Sequence, residues 1–205
     1  CGDAVGIRVL SVAAGADLNA YIAAGVYSDH ECATLEDALA KLQRGQFIMI
    51  REGTAARNLE ALVPLLTPQY AERCMFCTDD KHPSDLLEKG HIDYICREAV
   101  AMGADPIMTV QVACHHASRY FLLNNRGAIA PGYLADFAVI DNFKDFNVEM
   151  VFKKGVLYWN NGELRDFEAP QIEEYLDKRA HDTFHVATLT PDDFRDTRQR
   201  GVLGM

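Results

Sequence analysis

The chain has 205 residues, 49% of them hydrophobic, enough for one large domain or two small ones with a sizeable core. Its formal net charge of -10 argues against nucleic acid or an anionic membrane as the main partner, and no apolar run approaches the length of a membrane span. The N-terminus has no basic region followed by a signal-type apolar core, so the six cysteines are expected to be reduced thiols and the expected compartment is the cytoplasm.

The chain opens at Cys1, and the segment from Gly2 to Ala16 has no clear period, which reads as a processed, truncated or rearranged beginning. From Leu18 helix and strand alternate. Leu18 to Ala24 is a short helical segment, and Val26-Tyr27-Ser28-Asp29-His30 is a short strand ending in polar groups. Thr34 can cap the next helix, whose apolar face is Leu35, Ala38, Leu39 and Leu42 and which Gly45 stops. Phe47-Ile48-Met49-Ile50 is a continuous apolar run, as expected of a strand buried on both faces, and it ends in Arg51-Glu52-Gly53. A helix carrying Leu59, Leu62 and Val63 follows. A further strand then runs through Cys74, Met75, Phe76 and Cys77 to two adjacent carboxylates, Asp79 and Asp80.

Three strands thus end in polar clusters, each followed by a helix: Asp29-His30-Glu31, Arg51-Glu52 and Asp79-Asp80. Repeated βα units with chemistry at the strand C-termini predict part of a parallel α/β sheet or barrel, although three units do not close an eight-stranded one. A helical pattern runs from Ser84 to about Met102, and Asp105-Pro106 caps another that fades near Phe121. The period then changes. Ala135 to Ile140, Val148 to Phe152 and Val156 to Trp159 read as strands. Lys153-Lys154-Gly155 and Asn161-Gly162 mark turns, so a small β unit is appended to the α/β portion. Near the end, Thr183 to Ala187 alternates like a strand and Pro191 to Phe194 looks like an opening helix.

Imidazole is a good ligand for zinc, iron or manganese, so His30 at a strand end is a candidate, with a surface histidine in an acidic loop as the alternative. An acid in the position of Asp79 can hold a divalent metal and take a proton from the metal-bound water, with a loop of two solvated aspartates as the alternative. Cys74 and Cys77 lie three apart on a strand and face opposite sides, which disfavours a redox or zinc pair. No histidine is followed two residues later by glutamate and Arg73 precedes Cys74, so the cytidine-deaminase pattern is absent. His115 and His116 are adjacent on a helix, diverge by about 100°, and read as a packing or capping pair. His82, beside the carboxylates, is a better candidate for a supporting role, and His91 reads as structural. Arg51 and Glu52 could recognise a polar ligand or form an internal ion pair.

These residues resemble the adenine deaminase family of the amidohydrolase superfamily. The matching segments are residues 17–25, Ser28-Asp29-His30-Glu31-Cys32, Met49-Ile50-Arg51-Glu52-Gly53, Cys77-Thr78-Asp79-Asp80 with His82-Pro83, Gly90-His91-Ile92-Asp93 and residues 126–136. Thr183-Phe184-His185-Val186 is similar to the linker into that family's C-terminal domain. The resemblance implies a (β/α)8 metal-dependent hydrolase barrel and a β-sandwich built from both chain ends. This chain would supply βα units 6–8 of the barrel over residues 18–122 and a small β-sandwich portion over 123–168. Residues 1–17 would be an atypical leader or truncated start, and 169–205 the linker and start of a further domain.

The resemblance also implies the chemistry: metal-activated hydroxide attack at C6 of adenine, giving hypoxanthine and ammonia. His30 would be the sixth-strand metal ligand. Asp79 would be the eighth-strand ligand and general base. Glu31, Glu52, Asp80 and His82 would be pocket or supporting groups. One or two divalent metals, manganese, iron or zinc, would complete the site. The expected partner is a purine base, with no nucleic acid or membrane; homo-oligomerisation and a missing N-terminal half of the barrel are expected. The first-strand His-x-His pair and the fourth-strand carboxylate ligand would precede Cys1, and residues 1–17 contain no fifth-strand histidine. A fragment inactive alone is therefore expected. The alternatives are another amidohydrolase, such as a deacetylase or cyclic-amide hydrolase, and a non-catalytic interaction module with a degenerate metal site.

Overall fold

The structure is a computed structural model that describes residues 15–168, 171–181, 183 and 185–195. Most of the leader, residues 1–14, and Phe184 within the expected strand at 183–187 lie outside these. The chain divides into two units, residues 1–165 and 166–205. Among the described residues no helix is long and apolar enough to cross a membrane.

The first unit opens with α1 (Ala16–Ala23), β1 (Ser28–Asp29), α2 (Leu35–Leu42), β2 (Phe47–Arg51) and α3 (Leu59–Leu62). A 3₁₀ turn at Val63–Leu65 and another at Ala71–Arg73 lead into β3 (Cys74–Cys77). The three strands form a parallel sheet in the order β1-β2-β3, with Ser28 opposite Phe47 and Ile48 opposite Cys74. Their C-terminal ends therefore lie on one rim. Cys74, Met75 and Phe76 are buried on both faces of β3, whereas in β2 Ile48 and Ile50 are buried and Phe47 and Met49 only half-buried, so one face of that strand is less covered than its apolar run predicts. The buried Gln46 amide donates to the Val26 carbonyl at 3.1 Å, tying the start of β2 to the approach to β1.

Thr34 caps α2 through its hydroxyl, which accepts from the Asp37 N–H at 3.3 Å, and Gly45 ends the segment at φ 87°. β1 is shorter than the sequence pattern suggests, and β3 stops at Cys77, two residues before Asp79. Asp79 itself has φ 46°, a left-handed turn conformation in the loop that follows the strand.

The helix expected from Ser84 to Met102 is two helices, α4 (Pro83–Glu88) and α5 (Ile92–Ala101). Gly90 at φ 105° breaks it, and the Asp93 carboxylate accepts from the His91 N–H at 2.7 Å. Helical periodicity continues across such a break, so apolar spacing alone does not expose it. The Asp105 cap is present, its carboxylate accepting from the Met108 N–H at 2.8 Å. It opens α6 (Pro106–Val110), a π-helical stretch at Gln111–His116 and α7 (Ala117–Tyr120). The Tyr120 hydroxyl donates to the Ser28 hydroxyl at 2.7 Å, linking α7 back to β1.

The β unit is an antiparallel sheet of β4 (Phe137–Ile140), β5 (Val148–Lys153), β6 (Val156–Asn160) and β7 (Glu163–Leu164), in that order. Both tight turns use left-handed backbone: Lys154 and Gly155 at φ 52° and 76°, Asn161 and Gly162 at 46° and 99°. Paired positive φ is the hairpin geometry whose twist suits the flanking strands. In the second unit, α8 spans Glu174–His181, and Thr190 forms a capping box with Asp193 at a 3₁₀ turn, Pro191–Phe194. Of the strand expected at 183–187, the described residues are irregular.

Candidate active site

Three loops leave the rim of the parallel sheet, and their first residues converge. His30, just past β1, places Nε2 3.8 Å from Oδ1 of Asp79, just past β3, and 3.3 Å from Oε1 of Glu31. Arg51, the last residue of β2, lies between them. Its Nη1 is 3.1 Å from Asp79 Oδ2, its Nη2 3.1 Å from Glu31 Oε2, and its Nε donates to Asn58 Oδ1 at 3.3 Å. Each carboxylate thus turns one oxygen towards the guanidinium and the other towards the imidazole. Burial alone would push the Arg51 guanidinium down, but the bonds from Glu31 and Asp79 outweigh it and hold Arg51 firmly charged. The internal-pairing alternative for Arg51 is therefore realised, with Glu31 and Asp79 rather than with Glu52.

His30, Glu31 and Asp79 are each roughly half exposed, so the group opens to solvent. Two ligands of a tetrahedral cation, each about 2.1 Å from it, stand about 3.4 Å apart. The His30–Asp79 separation fits a shared divalent cation with a small adjustment, and the imidazole and carboxylate donors suit zinc, iron or manganese.

Glu52 follows Arg51 on an alternating strand and so faces the other way. Its buried carboxylate accepts from the Leu59 N–H at 3.3 Å at the start of α3, away from the His30–Asp79 pair. Burial pushes its acidity down, raising its pKa, and the Leu59 N–H offsets part of that. Asp80 turns to the loop after β2, where its carboxylate accepts from the Ala55 N–H at 2.9 Å. These backbone donors hold its pKa below the usual carboxylate range. Gly53 makes this approach possible: a Cβ there would stand 1.8 Å from Asp80 Oδ1 and 2.8 Å from the Thr78 carbonyl oxygen. His82 precedes α4; its N–H donates to the Thr54 hydroxyl at 2.8 Å, and its Nδ1 lies 3.3 Å from the Ser84 hydroxyl. The Thr54 hydroxyl in turn donates to Asp85 at 2.6 Å, which with Lys89 lowers the Asp85 carboxyl to about 2. Asp80, Thr54, His82 and Asp85 therefore lock the second and third loops together.

The structure brings His30, Glu31 and Asp79 together. It sets Asp80 and His82 in the supporting lattice and Glu52 just past β2, bonded to the start of α3. The pattern reading passed over Lys41. Its ammonium, on α2, bonds Asp29, Asp37 at 2.8 Å and the Cys32 thiol at 3.5 Å. Asp29, Cys32 and Asp37 have ligand atoms within 4.8 Å of one another, a spacing a metal could use, but the lysine cation already lies among them. Burial opposes the Lys41 charge, and the bonds to Asp29 and Asp37 outweigh it, so the ammonium is retained. The signal was available in the four-residue spacing of Asp37 and Lys41 on a helix whose other face is apolar.

The five cysteines among the described residues are unpaired. Cys74 and Cys77 do not converge: one thiol donates to the Tyr70 carbonyl and the other to the Met49 carbonyl, and burial pushes both up to about 12. His116 is buried in the π-helical stretch, and burial lowers its affinity for a proton; with His115 it makes an edge-on ring contact at 5.9 Å.

A model described as "Amidohydrolase family" matches residues 7–158. An adenine deaminase of Kosmotoga olearia is 47% identical over 174 residues, covering 78% of this chain and 30% of that protein. One from Desulfatibacillum aliphaticivorans is 49% identical over 148 residues, covering 72% and 26%. One from Dehalococcoides mccartyi is 42% identical over 187 residues, covering 91% and 32%. The chain thus spans about a third or less of the length of these curated relatives. Among solved structures, a beta-aspartyl dipeptidase from Fervidobacterium islandicum AW-1 matches 65% of this chain and 38% of its own at TM-score 0.54 and 19% identity, a likeness of fold. With its rim of converging polar residues and a family match over most of its length, the chain belongs to the amidohydrolase family.

Proposed function

We propose that this chain supplies part of the active site of an adenine deaminase, which converts adenine and water to hypoxanthine and ammonia. One observation carries the reading. His30 Nε2 and Asp79 Oδ1 approach to 3.8 Å at the ends of parallel strands, in a chain 47% identical to an adenine deaminase over 174 residues. In this reading β1, β2 and β3 are the sixth, seventh and eighth strands of a (β/α)8 barrel over residues 18–122. Residues 123–168 are a β-sandwich portion, and 169–205 a linker and the start of a further domain. The protein works on a free purine base, in the cytoplasm, as a homo-oligomer.

A divalent cation, manganese, iron or zinc, would supply Lewis acidity that makes a water nucleophilic at neutral pH. His30 Nε2 and Asp79 Oδ1 would hold it from this chain. Asp79 takes the proton of the water that attacks C6 and delivers it to the departing amine. Glu31 borders the same opening and limits where a purine can lie. Asp80 and His82 fix the loops that carry Asp79, and Glu52 anchors the start of α3 behind the site. The remaining ligands come from the N-terminal half of the barrel, so the 205-residue chain alone should show no substantial deamination even with added metal.

A chimera tests this. Residues 15–165 replace the matching segment of the Kosmotoga olearia protein, and hypoxanthine formation from adenine is measured. The reading expects turnover that Asp79→Asn removes. A folded, metal-loaded chimera that leaves adenine unchanged while hydrolysing an amide or acetylated substrate would replace the deaminase by another amidohydrolase activity.

A further inference from the structure

The candidate centre already contains a cation. Arg51 is nine-tenths buried, and three of its nitrogens are fixed, Nε by Asn58, Nη1 by Asp79 and Nη2 by Glu31. The oxygens left over, Asp79 Oδ1 and Glu31 Oε1, both face His30 Nε2, at 3.8 and 3.3 Å. A divalent ion entering beside His30 would therefore meet two carboxylates that each share their charge with the same guanidinium. The fork orients both acids, which favours binding. Its positive charge weakens their pull, which opposes binding. A unit charge a few ångströms away in a half-exposed site outweighs the orientation of two short side chains.

We propose that Arg51 is a positioning residue that holds Glu31 and Asp79 towards His30 and, by its charge, sets the affinity of that site for a divalent cation low enough for exchange. The proposal rests on the reading of His30 and Asp79 as ligands. It extends that reading to a residue that touches neither metal nor substrate. A purely structural arginine would loosen metal binding when removed; this one should tighten it.

The test is Mn²⁺ binding to the chimera that carries residues 15–165 in the Kosmotoga olearia protein, followed by the electron paramagnetic resonance signal of free Mn²⁺. Arg51→Met and Arg51→Gln should each tighten binding about tenfold, and Arg51→Lys, which keeps the charge, should stay within about twofold of the unaltered chimera. The metal-induced rise in Tm should follow the same order. The proposal is overturned if Arg51→Met and Arg51→Gln bind Mn²⁺ no more tightly than the unaltered chimera, absence of binding in all three included. Asp79→Asn separates the two layers. Loss of binding on Asp79→Asn without tightening in the Arg51 variants leaves the centre standing and removes the role of Arg51. Tight binding by Arg51→Met that Asp79→Asn does not weaken places the ion elsewhere and removes both.

Discussion

His30 Nε2 stands 3.8 Å from Asp79 Oδ1, across two parallel strand pairings and with Arg51 of the middle strand bonded to the same aspartate. The pair depends on Asp79 standing at φ 46° in the loop after β3, a turn that aims its carboxylate across the rim. The next residue, Asp80, points into the loop after β2. Adjacent carboxylates therefore have separate tasks.

That separation predicts unequal effects of substitution. In the active chimera, Asp79→Asn should lower turnover by at least about 10²–10⁴-fold, the usual worth of a general base, and further through the lost ligand charge. Asparagine tolerates the left-handed backbone, so the fold should survive. Asp80→Asn should cost far less, because it weakens a loop contact only. Turnover at matched metal content decides, and a dead Asp80→Asn beside a nearly normal Asp79→Asn would reverse the assignment.

Lys41 should be among the most sensitive positions for stability. Its ammonium is buried between Asp29 and Asp37. Lys41→Met strands both carboxylates and should cost about 3 kcal/mol. Adding Asp37→Asn should recover part of that, since the two sites share one network. Urea denaturation of the single and double variants measures the coupling. Simple additivity would mean the three side chains do not act together.

Glu52 should make stability depend on pH in a defined direction. Burial raises its carboxyl in the folded chain, so the folded state holds the proton more tightly than the unfolded state. That contribution is fully present below the unfolded pKa of about 4.3 and is lost as pH rises through the folded value. Glu52→Gln does not titrate there and keeps an acceptor for the Leu59 N–H. The variant should gain stability relative to the unaltered chain between about pH 4 and about pH 7. Denaturation at the two pH values checks it, and a variant that loses stability relative to the unaltered chain as pH rises would contradict it.

Gly53→Ala should destabilise by about 1–3 kcal/mol through forced contact with Asp80 and the Thr78 backbone. Asp80→Ala in the same chain should relieve only the side-chain part, because the Thr78 carbonyl oxygen remains 2.8 Å from the added Cβ. Full recovery in the double variant, read from thermal melts, would show that the backbone yields freely.

Much of this was legible in sequence because it is periodic or punctuated. The apolar run Phe47 to Ile50, the caps at Thr34 and Asp105, and the turns at Lys154-Gly155 and Asn161-Gly162 all leave local marks. His30 and Asp79 stood out because each lies in a polar cluster at the end of a strand-like segment. The break at Gly90 was hidden, since apolar residues on either side keep the helical spacing. The facing of Glu52 followed from strand alternation once Arg51 was fixed, but which of the two faces the site is set by packing against α3. The Lys41–Asp37 half of its network was legible in their four-residue spacing on α2, but Asp29 and the Arg51 fork were hidden: those partners lie on other elements, and only the folded sheet brings Asp29, Glu31 and Asp79 within reach.

The central claim is that His30 and Asp79 share one divalent ion. A crystal structure of the Mn²⁺-loaded chimera, with an anomalous difference map at the manganese edge, tests it most directly. The account predicts a peak within about 2.3 Å of both His30 Nε2 and an Asp79 carboxylate oxygen, with Lys41 still among its three partners. A peak among Asp29, Cys32 and Asp37, or none near His30 in an active protein, would contradict it.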